Sequence, residues 1–228
     1  MRTLQRGPRC GRLTYEGSAM SSIIASLPAR TGSPARALLK PENILPACVW
    51  LFLVFNQALN SPVPPSPSVV LLILVTTITL VLFVVRRDAT RVGSKADLTI
   101  ALAGTLGVSF LKGPHLQDTR LLPTLIQFVA LLGWAASLLT LGRSFGIVAA
   151  DRGLVEHGPY RFVRHPIYAF EALFFLGFLI AVPTVRSAVI ILASFALQII
   201  RIVREERILV GYAEYRQRVR WCILPGVW

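Results

Sequence analysis

The sequence predicts an all-α, polytopic integral membrane protein of about five or six transmembrane helices. Three observations carry this. Of 228 residues, 54% are hydrophobic, more than the 45–50% or so of a soluble domain. The apolar residues fall into six runs, and the basic residues lie between those runs in a lopsided way.

The runs are 44–59, 69–85, 98–111, 121–141, 167–182 and 185–203. A helix needs about 20 apolar residues to cross a bilayer core, with a range of ~17–25. Run 121–141 meets this cleanly, while 44–59, 69–85 and 185–203 are adequate. Run 98–111 is short, and 167–182 is short and carries Glu171. If all six cross and the N-terminus is cytoplasmic, 21 of the 24 Lys and Arg fall on the cytoplasmic side. Only Lys112, Arg120 and Arg186 face the other side. That bias matches the positive-inside rule and implies an even number of crossings with both termini cytoplasmic.

The net charge of +13 does not indicate a nucleic-acid partner, because the basic residues separate apolar runs and form no soluble basic domain. Cys10, Cys48 and Cys222 show no C-x-x-C spacing, so neither a disulfide framework nor a metal site is expected. No glycine-rich phosphate loop occurs. Residues 1–42 read as a basic, disordered arm, with a targeting segment or a start at Met20 as alternatives. Residues 43–120 read as N-terminal membrane helices, and 121–228 as the functional core.

Within that core, Pro183 and Thr184 mark the tip of a helical hairpin, 167–182 followed by 185–203. Pro166 is expected in the first turn of the first arm, where its missing N–H costs nothing. Past the second arm the helix is expected to continue out of the membrane, with Gly211 as its break. Two polar clusters therefore meet at one membrane surface. The segment HGPYRFVRHPIY, residues 157–168, offers Tyr160, Arg161, Arg164, His165 and Tyr168. The segment after Arg201 offers Glu205, Glu206, Tyr212, Tyr215 and Arg218. Glu205 and Glu206 point about 100° apart on a helix, so one is expected to face a site while the other pairs with Arg201. His165, Tyr168 and Glu171, at i, i+3 and i+6, share a helix face. A carboxylate inside a membrane helix is functional by default, against the reading that Glu171 only neutralises an arginine. Arg161, Arg204 and Arg216 read as lipid-facing or snorkelling side chains.

These residues carry a resemblance. LGRSFGIVAADRGLVEHGPYRFVRHPIYAFEALFFLGF (141–178), then EER (205–207) and YAEYRQRV (212–219), resemble the isoprenylcysteine carboxyl methyltransferase and phospholipid methyltransferase family. The resemblance spans roughly residues 120–228. It implies S-adenosylmethionine as cofactor, in a cytoplasmic pocket between the hairpin and the C-terminal helix. It implies Pro159, Tyr160, Val163, His165, Pro166, Tyr168, Glu205 and Glu206 as cofactor-binding residues, and Glu171 is added to them by its shared helix face. Arg164 and Arg218 match family arginines near the reacting end and are carried over as catalytic. The expected acceptor is a lipid or prenylated small molecule, methylated on a carboxylate. The alternatives are N-methylation of a phospholipid headgroup, or an NADPH-dependent sterol-type reductase with Arg143, Arg152 and Arg161 binding phosphates. Two positions depart from the family's pattern. Cys222 stands where a basic residue is common, and Phe170 where a small one is.

Overall fold

The structure is a computed structural model, described here for residues 41–59, 67–107, 111, 120–146 and 148–226. All of these belong to one unit, Ser33–Trp228. The arm expected over 1–42 lies almost wholly outside the described residues.

The helices follow the apolar runs closely. They are α1 (Pro41–Leu59), α2 (Pro67–Val85), α3 (Lys95–Gly107), α4 (Leu121–Leu141), α5 (Pro166–Ala181), α6 (Val185–Ile208) and α7 (Tyr212–Arg218). Helix α2, helix α4 with its 3-10 extension to Ser144, and helix α6 are long and apolar enough to cross a membrane. Helix α5 is a shorter apolar helix, and in α1 the apolar stretch is Ala47–Asn56. Helix α3 is described over Lys95–Gly107. Among the described residues, three helices satisfy both the length and the composition of a span.

Several hydroxyl groups on these helices are satisfied locally. Thr76, Thr77 and Thr79 donate to the carbonyls four residues back, at 2.7, 2.7 and 2.9 Å. Ser137 and Thr140 do the same on α4, which removes the cost of a bare hydroxyl in an apolar setting. At the hairpin tip, Thr184 caps α6 by accepting the Ser187 N–H at 3.1 Å.

The hairpin arms do not pack mainly on each other. Helix α5 packs on α4, and α6 packs on α3. Helices α2, α4 and α5 share the apolar core, with Phe83, Leu131, Leu138 and Phe178 almost wholly buried. The α4–α5 approach is close. A Cβ built on Gly133 would stand 2.2 Å from the Phe170 ring, so that ring occupies the space a side chain would need. Phe170 is therefore a packing residue on α4 and does not narrow the cavity described below.

One feature departs from the all-α expectation. Arg91–Val92 (β1) pairs antiparallel with Ala150–Asp151 (β2). Gly93 N–H donates to the Ala149 carbonyl at 2.8 Å, and Thr90 N–H to that of Asp151 at 2.9 Å. This pairing ties the α2–α3 loop to the segment leading into the polar cluster.

Candidate functional site

The space left between the diverging arms is a cavity of about 490 Å³. Its polar end is lined by Arg152, Tyr160, Arg164, His165, Tyr168, Glu205, Tyr212 and Tyr215. Its apolar end runs between helices past Trp50, Leu72, Trp134, Leu138, Phe174 and Phe178. Between the two ends stand Glu171, Gln198 and Arg201.

Backbone geometry builds the polar end. Gly158–Arg161 form a 3-10 turn, and α5 starts at Pro166, with His165 as its N-cap residue. Arg164 N–H and His165 N–H donate to the carbonyls of Trp221 and Cys222, both at 2.9 Å. The Arg164 guanidinium donates to the Val219 and Arg220 carbonyls at 3.2 and 2.8 Å. The tail is thus bound to the start of α5 over consecutive residues. Helix α6 ends at Ile208, and α7 opens after Gly211, whose φ of 78° is left-handed backbone that glycine adopts without strain. The turn brings Tyr212, Tyr215 and Val219 onto one buried face. Tyr215 donates to the Tyr160 carbonyl at 2.6 Å.

The paired acids separate as their helical spacing requires. Glu205 lines the cavity and accepts the Tyr168 hydroxyl at 3.4 Å. Glu206 sits behind the wall. Its Oε1 accepts from Tyr212 at 2.6 Å, lies 3.2 Å from His165 Nε2, and lies 3.4 Å from Arg164 Nε. Arg201 pairs with neither acid. It donates to the Gly146 carbonyl at 3.0 Å and stacks over the Tyr168 ring. Glu171 lines the cavity and accepts two hydrogen bonds from the Gln198 amide, at 3.2 and 3.0 Å.

Charge states at the polar end follow from burial and partners. Burial pushes the Tyr160 hydroxyl well above the usual tyrosine range, and the Glu205 charge adds to this. Tyr212 is raised by burial first and then by the Glu206 carboxylate it donates to. Tyr215 is raised chiefly by burial. Burial opposes the Arg164 charge, but Tyr212 and Glu206 outweigh it and hold the group protonated. Burial also raises the Cys222 thiol, keeping it protonated.

Of the residues named from sequence, Tyr160, Arg164, His165, Tyr168, Glu171 and Glu205 line the cavity together. Pro159, Val163, Pro166 and Glu206 stand outside the lining, and Val163 and Pro166 are buried beneath it. Arg218 is placed elsewhere. It lies about a third of a turn from the inward Tyr212–Tyr215 face of α7, is exposed, and pairs with Glu156. It is not among the residues that line the cavity. Arg204 is also no snorkelling side chain, because it pairs with Asp97 at 2.7 Å. Arg161 stacks on Phe162 at the surface, and Arg143 binds the Val85 carbonyl. Only Arg152 of the three arginines considered for phosphates lines the cavity. Gly146 and the apolar wall from α1 and α2 were not legible, because distant segments bring them in.

His165, Glu206 and Cys222 also present ligand atoms within 4.8 Å of one another. The Arg164 guanidinium lies on the same Glu206 oxygen and places a positive charge where a cation would sit.

No curated protein matches the chain. A solved structure of the eukaryotic intramembrane Ras methyltransferase ICMT, an isoprenylcysteine carboxyl methyltransferase, is similar at 20% identity and a TM-score of 0.46. That likeness covers 84% of this chain and 70% of the other. The family model described as phospholipid methyltransferase matches residues 122–214. That range runs from α4 into α7, so the segment that builds most of the polar end is the one matched to the phospholipid methyltransferase family.

Proposed function

We propose that this integral membrane protein is an S-adenosylmethionine-dependent methyltransferase acting on a lipid-like acceptor. The observation that carries the reading is one continuous cavity with a polar end at the 157–168 segment and an apolar end between membrane helices. A soluble cofactor and a greasy acceptor need such a shared space. The family match over residues 122–214 supports methyl transfer as its use.

The residues fit the cofactor. The Tyr160 hydroxyl is buried in the lining and has no hydrogen-bond partner among the described residues, so it is available to a ligand. Glu205 offers a carboxylate to ribose hydroxyls or an ammonium group. Tyr160, Tyr168, Tyr212 and Tyr215 offer aromatic faces suited to a sulfonium. Arg164 lines the polar end and places a positive charge where a ligand carboxylate could sit. When bound, S-adenosylmethionine supplies an activated methyl group. The chain's part is to align the acceptor with it and to exclude water. An ionised carboxylate acceptor requires no general base, whereas an amine requires one. The charge bias of the loops supports a cytoplasmic polar end and cytoplasmic termini.

The test is thermal unfolding of the detergent-purified protein with S-adenosylhomocysteine or NADPH. Saturable stabilisation by S-adenosylhomocysteine alone, lost in His165→Ala, is expected. Stabilisation by NADPH alone would replace this reading with the reductase.

A further inference from the structure

The outward face of α6 changes character over one turn. Leu192, Ile199, Ile200 and Val203 are exposed apolar side chains. One turn past Val203, on the same face, stands the exposed Arg207. Four residues rise about 6 Å, so the edge of the hydrocarbon falls between Val203 and Arg207. Hydrogen bonds carry that level across to the tail. Glu206, beside Arg207, has an oxygen 3.2 Å from His165 Nε2. Arg164 N–H and His165 N–H donate to the Trp221 and Cys222 carbonyls. Cys222 packs on Ile202 of α6, with Ile223 beside it. Residues 220–224 therefore lie at the hydrocarbon edge.

At that level the chain turns large apolar side chains outward. Cys222 is wholly buried, but Phe162, Trp221 and Leu224 are 65%, 41% and 51% exposed. The boundary between hydrocarbon and headgroups accepts such side chains, and tryptophan concentrates there. Cations share the surface. Arg161, Arg207, Arg216 and Arg220 are exposed, and the Arg161 guanidinium carbon lies 5.3 Å from the Phe162 ring centroid. Arg218 is matched by Glu156, which leaves Glu214 as the remaining exposed acid of α7.

Arginines beside apolar side chains at a membrane edge are complementary to an anionic lipid surface. Residues 1–42 carry seven basic and two acidic side chains, so like charge disfavours that segment as the cover of this surface. We propose that Phe162, Trp221 and Leu224 seat in the boundary region of the bilayer and that Arg161, Arg207 and Arg220 bind the phosphates of anionic phospholipids there. This contact is separate from the cavity and does not depend on what the cavity holds. It fastens to the membrane the same tail whose Trp221 and Cys222 carbonyls hold Arg164 and His165.

The test places the full-length protein in phosphatidylcholine vesicles that hold a fixed minor fraction of phosphatidylglycerol. Bromine is carried high on the acyl chains of an equal mole fraction of one lipid or the other. Quenching of Trp221 emission is read as the difference between wild type and Trp221→Phe. Brominated phosphatidylglycerol is expected to quench Trp221 about twofold or more beyond brominated phosphatidylcholine, and added salt is expected to shrink that excess. Combining Arg161→Gln, Arg207→Gln and Arg220→Gln is expected to abolish the excess while quenching by brominated phosphatidylcholine persists. Equal quenching of wild type by the two lipids would overturn the anion site. Absence of quenching by either would overturn the seating itself. Quenching that appears only after residues 1–40 are removed would make that segment the occupant and overturn the proposal. Should the triple variant fail to fold, the excess in wild type and its response to salt decide.

Discussion

One carboxylate oxygen of Glu206 lies 3.2 Å from His165 Nε2 and also accepts the Tyr212 hydroxyl at 2.6 Å. Glu206 therefore orients two lining residues from three separate segments' junction without entering the cavity itself. The same oxygen faces Arg164 Nε at 3.4 Å. Glu206→Gln removes the charge and leaves Arg164 buried without its counter-ion. Hydrogen bonds to charged groups contribute about 1.5–3 kcal/mol, and a loss of that size is expected in denaturant unfolding. Tyr212→Phe removes one donor and leaves the ion pair, so its cost is expected to be about 1 kcal/mol. If the Glu206 variant proves as stable as wild type, the cluster does not organise the wall.

Phe170 and Gly133 form a matched pair across α4 and α5, since the ring fills the volume a Cβ on Gly133 would need. Gly133→Ala should overpack this contact and cost about 1–3 kcal/mol. Combining it with Phe170→Ala should recover part of that cost, because the second change vacates the space. A double-mutant cycle by thermal unfolding reads the coupling directly. Additive costs would show that the two positions do not share the contact.

The sequence carried the helices well, because apolar runs and their breaks mark spans directly. Pro166, the Pro183–Thr184 tip and Gly211 all punctuate the chain where they were expected to. What stayed hidden depends on contacts between distant segments. The β1–β2 pairing involves two residues on each side, too few to leave a pattern. Helical spacing shows that Glu205 and Glu206 diverge, but which one faces the cavity is set by His165 and Tyr212, some forty residues before and six after. Arg218 matched a motif, yet the face of α7 that packs is the tyrosine face. Phe170 looked like a departure near the site, and only the position of Gly133 shows it to be packing.

The Asp97–Arg204 pair, at 2.7 Å, gives a pH dependence with a defined sign. Burial alone would raise the Asp97 carboxyl. Hydrogen bonds from Arg204 and Ser94 outweigh it and hold the group below its ordinary 3.8. A carboxyl depressed by folding contributes stability above its unfolded pKa and loses it as pH falls through the folded one. The unfolding temperatures of wild type and Asp97→Asn should therefore differ by a constant amount from pH 7 down to about 4. The difference should close below that. Because Arg204 is 40% exposed, added salt should reduce the gap. A gap that widened towards acid would reverse the assignment.

The tail beyond α7 is joined to the site by four hydrogen bonds that converge on Arg164 and His165. Two come from the backbone N–H groups of those residues, to Trp221 and Cys222, and two from the Arg164 guanidinium, to Val219 and Arg220. Cys222 is itself wholly buried against Tyr168 and Ile202. Removing residues 219–228 would leave the Arg164 and His165 N–H groups without these partners and uncover Ile202. A buried polar group left unsatisfied costs about 1–3 kcal/mol, so the truncated protein should lose several kcal/mol locally. The helices of the membrane core make few of these contacts, so far-ultraviolet circular dichroism should change little. Stabilisation by S-adenosylhomocysteine should disappear, because the polar end loses its floor. The point substitution Arg164→Lys keeps the charge but not the planar guanidinium that reaches both carbonyls through Nη1 and Glu206 through Nε. It should weaken that stabilisation by about tenfold while leaving the tail attached through the backbone. Undiminished ligand stabilisation in the truncated protein would show that the tail is not part of the site.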